Sequence, residues 1–149
     1  MGEFKDRVVF VDDDRFYATQ WIEKLREQFD VDHFIDAGEA RDAILESSRV
    51  RCLIIDVMMP TPSTASAEET ASGLETGLWL LRQIAEWVTV NSIPVIVLTN
   101  RESEKISNAV KSLNLPAELV EIRRKLDTDR KRLLELVRDK ITKWSGDAS

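Results

Sequence analysis

With one cysteine, Cys52, the chain cannot form an internal disulfide, and a reducing compartment is the default expectation for it. With one histidine, His33, it has little material for a multi-histidine metal centre or a histidine phosphocarrier. His33 lies in a short apolar run and reads as a structural or edge residue. Long hydrophobic stretches are also missing. The first apolar run, Val8 to Val11, follows two acids and is far too short for a signal peptide or a membrane span, so a cytoplasmic protein is expected. Positive charge is in deficit: 21 Lys and Arg against 27 Asp and Glu give a net charge of −6, which argues against direct nucleic-acid binding. A local exception gathers Arg123, Arg124, Lys125, Arg130, Lys131 and Arg132, read here as a solvated helix start plus one functional lysine.

What is present suits one soluble, folded domain over residues 1–149, with 43% hydrophobic and 32% charged residues. Apolar runs of strand length alternate with segments of helical period. Val8–Val11 and Cys52–Ile55 are continuous apolar runs, as strands buried on both faces of a parallel sheet require. Val31–Ile35, Ile93–Leu98 and Leu119–Ile122 read as three more strands, with Pro94 at a strand entry where a missing N–H does least harm. Ala18, Trp21, Ile22, Leu25 and Phe29 have the spacing of an amphipathic helix. Asp36 and Glu39 resemble a capping box opening a second helix through Leu45. Helices are predicted from about Gly77 through Val88, over Glu102–Leu113 and over Thr128–Trp144, where Leu133, Leu134, Val137, Ile141 and Trp144 share a face. Five β/α units of this kind predict an α/β doubly wound parallel sheet with helices on both faces. Residues 61–76, rich in small, hydroxyl and acidic side chains, are predicted to form a long flexible insertion between strand 3 and helix 3.

Open α/β sheets bind ligands beyond the carboxyl ends of their strands. That edge would collect Asp12 and Asp13 after strand 1, Asp56 after strand 3, Thr99 at strand 4 and Lys125 at strand 5. Crowded carboxylates are unfavourable unless a cation neutralises them or one keeps its proton. Their hard oxygens suit Mg²⁺, and a carboxylate so placed can attack phosphorus to give an aspartyl phosphate. A hydroxyl from Thr99 and a point charge from Lys125 could then bind the phosphoryl oxygens.

These runs resemble the receiver domains of bacterial response regulators. Val9-Phe-Val-Asp-Asp-Asp14 looks like their first strand and acidic pair. Leu53-Ile-Ile-Asp-Val-Met-Met-Pro60 resembles the strand bearing their phosphorylated aspartate. Gly77-Leu-Trp-Leu-Leu81 is similar to the start of their third helix, and Pro94-Val-Ile-Val-Leu-Thr99 to their fourth strand with its switch threonine. The likeness runs from about Arg7 to Lys143. It implies a flavodoxin-like sheet in the order 2-1-3-4-5 and a regulatory phosphoacceptor that catalyses only its own phosphorylation and dephosphorylation. Carried over by position, Asp56 accepts the phosphoryl group. Asp13, Asp56 and the backbone carbonyl of Met58 ligate Mg²⁺, and Asp12 acts through water. Thr99 and Lys125 bind the phosphoryl group, while Asp14 is left to helix entry. The partners the resemblance implies are a histidine kinase or histidine phosphotransfer protein, an unknown downstream protein and, in a homodimer, a second copy of the chain.

Three features depart from the family pattern. The connection after Pro60 is longer than usual, Leu126 replaces the proline that follows the lysine, and Ile122 replaces a switch tyrosine or phenylalanine. A non-proline cis bond would cost about 2.5–4 kcal/mol, so a trans Lys125–Leu126 peptide is predicted, with Lys125 still aimed at Asp56. Two alternatives remain at this level. One is a receiver-like interaction module that works without phosphorylation. The other is a haloacid-dehalogenase-like phosphatase, whose Asp-x-Asp-x-Thr/Val pattern fails here because Phe16 follows Asp12-x-Asp14.

Overall fold

In the computed structural model, which describes residues 5–100 and 104–145, five strands form one parallel sheet in the order β2-β1-β3-β4-β5. The elements in chain order are β1 (Arg7–Val11), α1 (Arg15–Leu25), β2 (Asp30–Phe34), α2 (Ala37–Glu46), β3 (Val50–Ile55) and α3 (Thr76–Asn91). They continue with β4 (Val95–Thr99), α4 (Glu104–Lys111), β5 (Val120–Arg124) and α5 (Arg130–Ser145). This is the doubly wound, flavodoxin-like arrangement, and the sequence patterning explains it. Along the central strands, alternate residues point to opposite faces and both faces are apolar. Val9, Val11, Leu53, Ile55, Val95 and Val97 enter one core with α2, α3 and α4. Val8, Phe10, Cys52, Ile54, Ile96 and Leu98 enter the other with α1 and α5.

Several boundaries shift from the sequence expectation. Pro94 lies just before β4, and its carbonyl accepts from the Leu53 N–H at 3.0 Å, so it serves the ladder as an acceptor only. Leu119 belongs to a 3₁₀ turn, Ala117–Leu119, rather than to the fifth strand, which starts at Val120 and runs to Arg124. The last helix starts at Arg130 because Lys125–Asp127 forms another 3₁₀ turn. Of the helix expected over Glu102–Leu113, the start at residues 102 and 103 lies outside the described residues, and the described helix ends at Lys111. Asp36 caps α2 as the capping-box pattern implies, accepting from the Glu39 N–H at 2.9 Å.

The segment at 61–76 folds on itself as a run of turns. Ser66 and Glu69 exchange side chain-to-backbone bonds (2.9 and 3.1 Å), the hydroxyls of Thr61 and Thr70 meet at 2.7 Å, and Thr70 is fully buried. Pro62 is buried as well, and Ala65 packs on the larger core. Composition could not show this: small hydroxyl residues bury little apolar surface, but they satisfy one another's hydrogen bonds locally.

One glycine positions the site. A Cβ at Gly77 would lie 2.1 Å from the backbone oxygen of Asp56, so only glycine lets the start of α3 pass this close to the end of β3.

Candidate functional site at the carboxyl edge of the sheet

Backbone bonds that extend the ladders set both central acids. The Asp12 N–H donates to the Phe34 carbonyl (3.0 Å), prolonging the β1–β2 pairing. The Asp56 N–H donates to the Val11 carbonyl (2.9 Å), prolonging β1–β3. The two carboxylates therefore emerge from adjacent strands at the same height. Asp12 is 1% exposed and Asp56 7%, whereas Asp13, one residue further out, is exposed. Carboxylate oxygens of the three lie within 4.8 Å of one another.

Lys125 completes the centre. Its Nζ lies 3.2 Å from Asp56 Oδ2, to which it donates, and 2.8 Å from Asp12 Oδ2 as an ion pair off the hydrogen-bonding directions. The lysine is itself buried, and its Nζ lies 5.8 Å from the centre of the Tyr17 ring. The Lys125–Leu126 peptide is trans, as the missing proline predicts. Here the 3₁₀ turn Lys125–Asp127 directs the side chain inward: the Thr128 N–H returns to the Lys125 carbonyl (3.3 Å) and the Thr128 hydroxyl to the Arg124 carbonyl (2.8 Å). Thr99 is buried at the end of β4 on the same edge. Met58 is exposed, and its backbone N–H favours the charged Asp56 carboxylate. Asp14 caps α1 through the Tyr17 N–H (2.8 Å), so the third acid serves the helix.

The charges show what the centre lacks. Burial, and next the neighbouring Asp12, push the Asp56 carboxyl up to about 6, although Lys125 and the Met58 N–H pull the other way. Partial desolvation, then Asp12, also raises the Asp13 carboxyl. Burial acts to lower the Lys125 ammonium, but Asp12 and Asp56 outweigh it, so it titrates above its ordinary value. Three carboxylates against one ammonium leave two negative charges in a confined volume. A hard divalent cation fits that charge and that donor set.

Of two supports of the centre, sequence reasoning reads His33 as a structural or edge residue without its partner and misses Trp21. His33 Nε2 lies 2.8 Å from the Asp12 carbonyl. A carbonyl only accepts, so Nε2 carries the proton, and the ring braces the loop bearing the acids. The parallel register pairing Phe10 with His33 would have suggested it. Trp21 Nε1 donates to the Thr128 carbonyl (2.9 Å) and so anchors the turn that begins with Lys125. A contact across 107 residues leaves no local sequence signal. In the basic cluster, Arg123 pairs with Glu121, Arg124 with Asp127 at 3.8 Å and Arg132 with Glu135 at 3.6 Å. These arginines belong to mixed-charge surface pairs rather than an open basic face.

Solved structures similar to the chain are consistently response-regulator receiver domains. One is a receiver domain protein from Methanospirillum hungatei, with a TM-score of 0.74 at 19% identity, covering 96% of this chain and 98% of the other. The beryllofluoride-activated receiver domain of DrrB from Thermotoga maritima gives a TM-score of 0.69 at 20% identity, covering 93% and 99%. A receiver protein from Pseudomonas putida gives a TM-score of 0.66 at 23% identity, again covering 93% and 99%. No protein-family model and no curated protein matches the chain. At these identities the likeness establishes the fold: the chain has the receiver fold, with an acidic triad able to hold a cation at the edge where such sheets bind ligands. No helix among the described residues is long and apolar enough to cross a membrane.

Proposed function

We propose that the protein is a cytoplasmic phosphorylation switch of a two-component system, formed by one receiver unit with an insertion at 61–76. Asp56 accepts a phosphoryl group from a histidine kinase or histidine phosphotransfer protein, with Mg²⁺ held by Asp13, Asp56 and the Met58 carbonyl and by Asp12 through water. The observation that carries this reading is the buried Asp12–Asp56–Lys125 constellation. It is a centre with two uncompensated negative charges and a lysine already on the acceptor carboxylate.

The residues supply the parts of a phosphoryl transfer to a carboxylate. An Asp56 carboxylate oxygen would form the new O–P bond as the donor's bond to phosphorus breaks and the leaving group departs with its electron pair. A bound Mg²⁺ would offset charge on the phosphoryl oxygens. Lys125, held between Asp12 and Asp56, is placed to receive a phosphoryl oxygen, and the Thr99 hydroxyl ends the neighbouring strand at the same edge. The Gly77 approach and the ladder bonds of Asp12 and Asp56 keep the acceptor from drifting. Such a protein is regulatory, its chemistry confined to its own acyl phosphate, and its output is altered binding to a downstream protein.

The test is incubation with acetyl phosphate and Mg²⁺, followed by intact-mass measurement. One added phosphoryl group, labile to hydroxylamine, absent in Asp56→Asn and strongly reduced by chelation, is expected. Full labelling of Asp56→Asn would sink the assignment.

A further inference from the structure

The backbone leaving Asp56 is latched from behind. The Gly77 N–H donates to the Val57 carbonyl (2.8 Å), and the fully buried Thr76 hydroxyl donates to the Met59 carbonyl (2.6 Å). The Met59 N–H in turn donates to the Gly73 carbonyl (3.1 Å). The peptide units on both sides of Met58 are therefore fixed, one by the start of α3 and the other by the last turns of the 61–76 segment. That turn is itself closed. The Gly73 N–H returns to the Thr70 carbonyl (3.1 Å), the Glu75 N–H reaches the same carbonyl (2.8 Å), and the Thr70 hydroxyl meets that of Thr61. Gly73 has φ +94°, and a Cβ there would stand 2.9 Å from the Met59 carbonyl oxygen, so this contact too is built around a residue without a side chain.

From this latch we infer that Thr76 is a positioning residue for cation binding: by holding the Met59 carbonyl, one peptide beyond the Met58–Met59 unit that Gly73 holds, it fixes the Met59 backbone from which the Met58 carbonyl is set, coupling the 61–76 segment to the acidic centre. The inference rests on the proposed function, in which the Met58 carbonyl is a metal ligand. A hydroxyl is suited to the task. It is fully buried, its partner is a backbone oxygen, and neither has an alternative in water, so the Met59–Pro60 peptide stays in one orientation. Groups that orient a ligand without touching the ion commonly change metal affinity by about tenfold or more when removed.

The experiment is calorimetric titration of Mg²⁺ into the full chain, its Thr76→Val and Thr76→Ser variants, and Gly73→Ala, with the melting temperature of each metal-free protein measured alongside. Thr76→Val keeps the shape and removes the hydroxyl, and its Mg²⁺ dissociation constant should rise about tenfold. Thr76→Ser should restore affinity close to that of the parent. Gly73→Ala presses on the same carbonyl from outside the helix and should also weaken binding, which keeps the idea testable if Thr76→Val does not fold. Unchanged Mg²⁺ affinity in a folded Thr76→Val or Gly73→Ala protein, whatever its melting temperature, would overturn the inference while leaving the proposed function intact. Failure of the parent chain to bind Mg²⁺ would overturn the proposed function and this inference with it.

Discussion

Replacing Asp56 with asparagine should make the metal-free protein more stable at neutral pH, although it removes the residue assigned to the chemistry. Burial and Asp12 raise the Asp56 carboxyl from 3.8 to about 6. At roughly 1.4 kcal/mol per pKa unit, that displacement corresponds to about 3 kcal/mol. The sign follows from which state holds the proton more tightly. The native protein keeps the Asp56 proton up to about pH 6, whereas the unfolded chain releases it near an ordinary carboxylate value. Relative stability is therefore full at low pH, falls as pH rises from about 4 to 6, and stays reduced above that. The attraction of Lys125 is already included in the net displacement, and the asparagine carbonyl can still accept from Lys125. Asp56→Asn removes the cost of ionising a buried acid beside Asp12.

Chelator-treated protein and variant, unfolded in urea at about pH 7.5 and again at about pH 4, provide the assay. At the higher pH the variant should gain up to about 3 kcal/mol, equivalent to roughly 6–12 °C in melting temperature for a chain of this size. At the lower pH the two should be indistinguishable. Mg²⁺ should stabilise the parent more than the variant, because an ion bound only by the native state stabilises by mass action and the variant has lost a charged ligand. An Asp56→Asn protein no more stable than its parent at about pH 7.5 would refute the electrostatic account.

Lys125→Met should act in the opposite direction. It leaves Asp12 and Asp56 buried without their cation, and a loss of about 3–5 kcal/mol is expected near neutral pH. The deficit should shrink toward pH 5, where Asp56 takes up its proton, and urea unfolding across that range would reveal it. Cys52 is fully buried, and burial pushes its thiol up to about 12. It should resist a thiol reagent in the native protein and react stoichiometrically in denaturant, and rapid native labelling would contradict the packing of β3.

The sequence displayed its centre more clearly than its supports. β3 and β4 carry the short apolar runs Cys52–Ile55 and Val95–Leu98 in a chain of alternating periods, and Asp56 and Thr99 follow directly on those runs. The acids of β1 were legible for the same reason: Asp12 and Asp13 end an apolar run, and topology alone brings that end beside β3. At the edge of the sheet the pattern weakens. β5 is only half-buried along its length and carries Glu121, Arg123 and Arg124, so its limits were blurred by polar residues that pair on the surface. The turns of the 61–76 segment were not legible for another reason. They close through hydroxyl and backbone bonds over short distances, with Pro62 and Ala65 as small anchors, and composition registers none of this.

The same distinction explains how the centre keeps its geometry without two features of the resembled family. A proline after the lysine would fix one backbone angle. Here a 3₁₀ turn does that work, and its carbonyl at Thr128 is held by Trp21, whose ring is 1% exposed between α1 and α5. Tyr17 packs edge-on against Trp21, with ring centres 5.0 Å apart, and lies beside the Lys125 ammonium, so one aromatic pair supports both the turn and the charge it presents. The missing aromatic at Ile122 has a different consequence. Ile122 is half-buried and lines a shallow apolar groove with Val110, Leu115 and Val120. An aliphatic side chain there offers no hydroxyl to Thr99, so Ile122 cannot pass on a hydrogen-bond change in the way a tyrosine could. Other connections bind the acidic edge to the rest of the chain: from Asp12 to His33, from the backbone after Asp56 through Met59 to the 61–76 segment, and from Lys125 through Thr128 to Trp21.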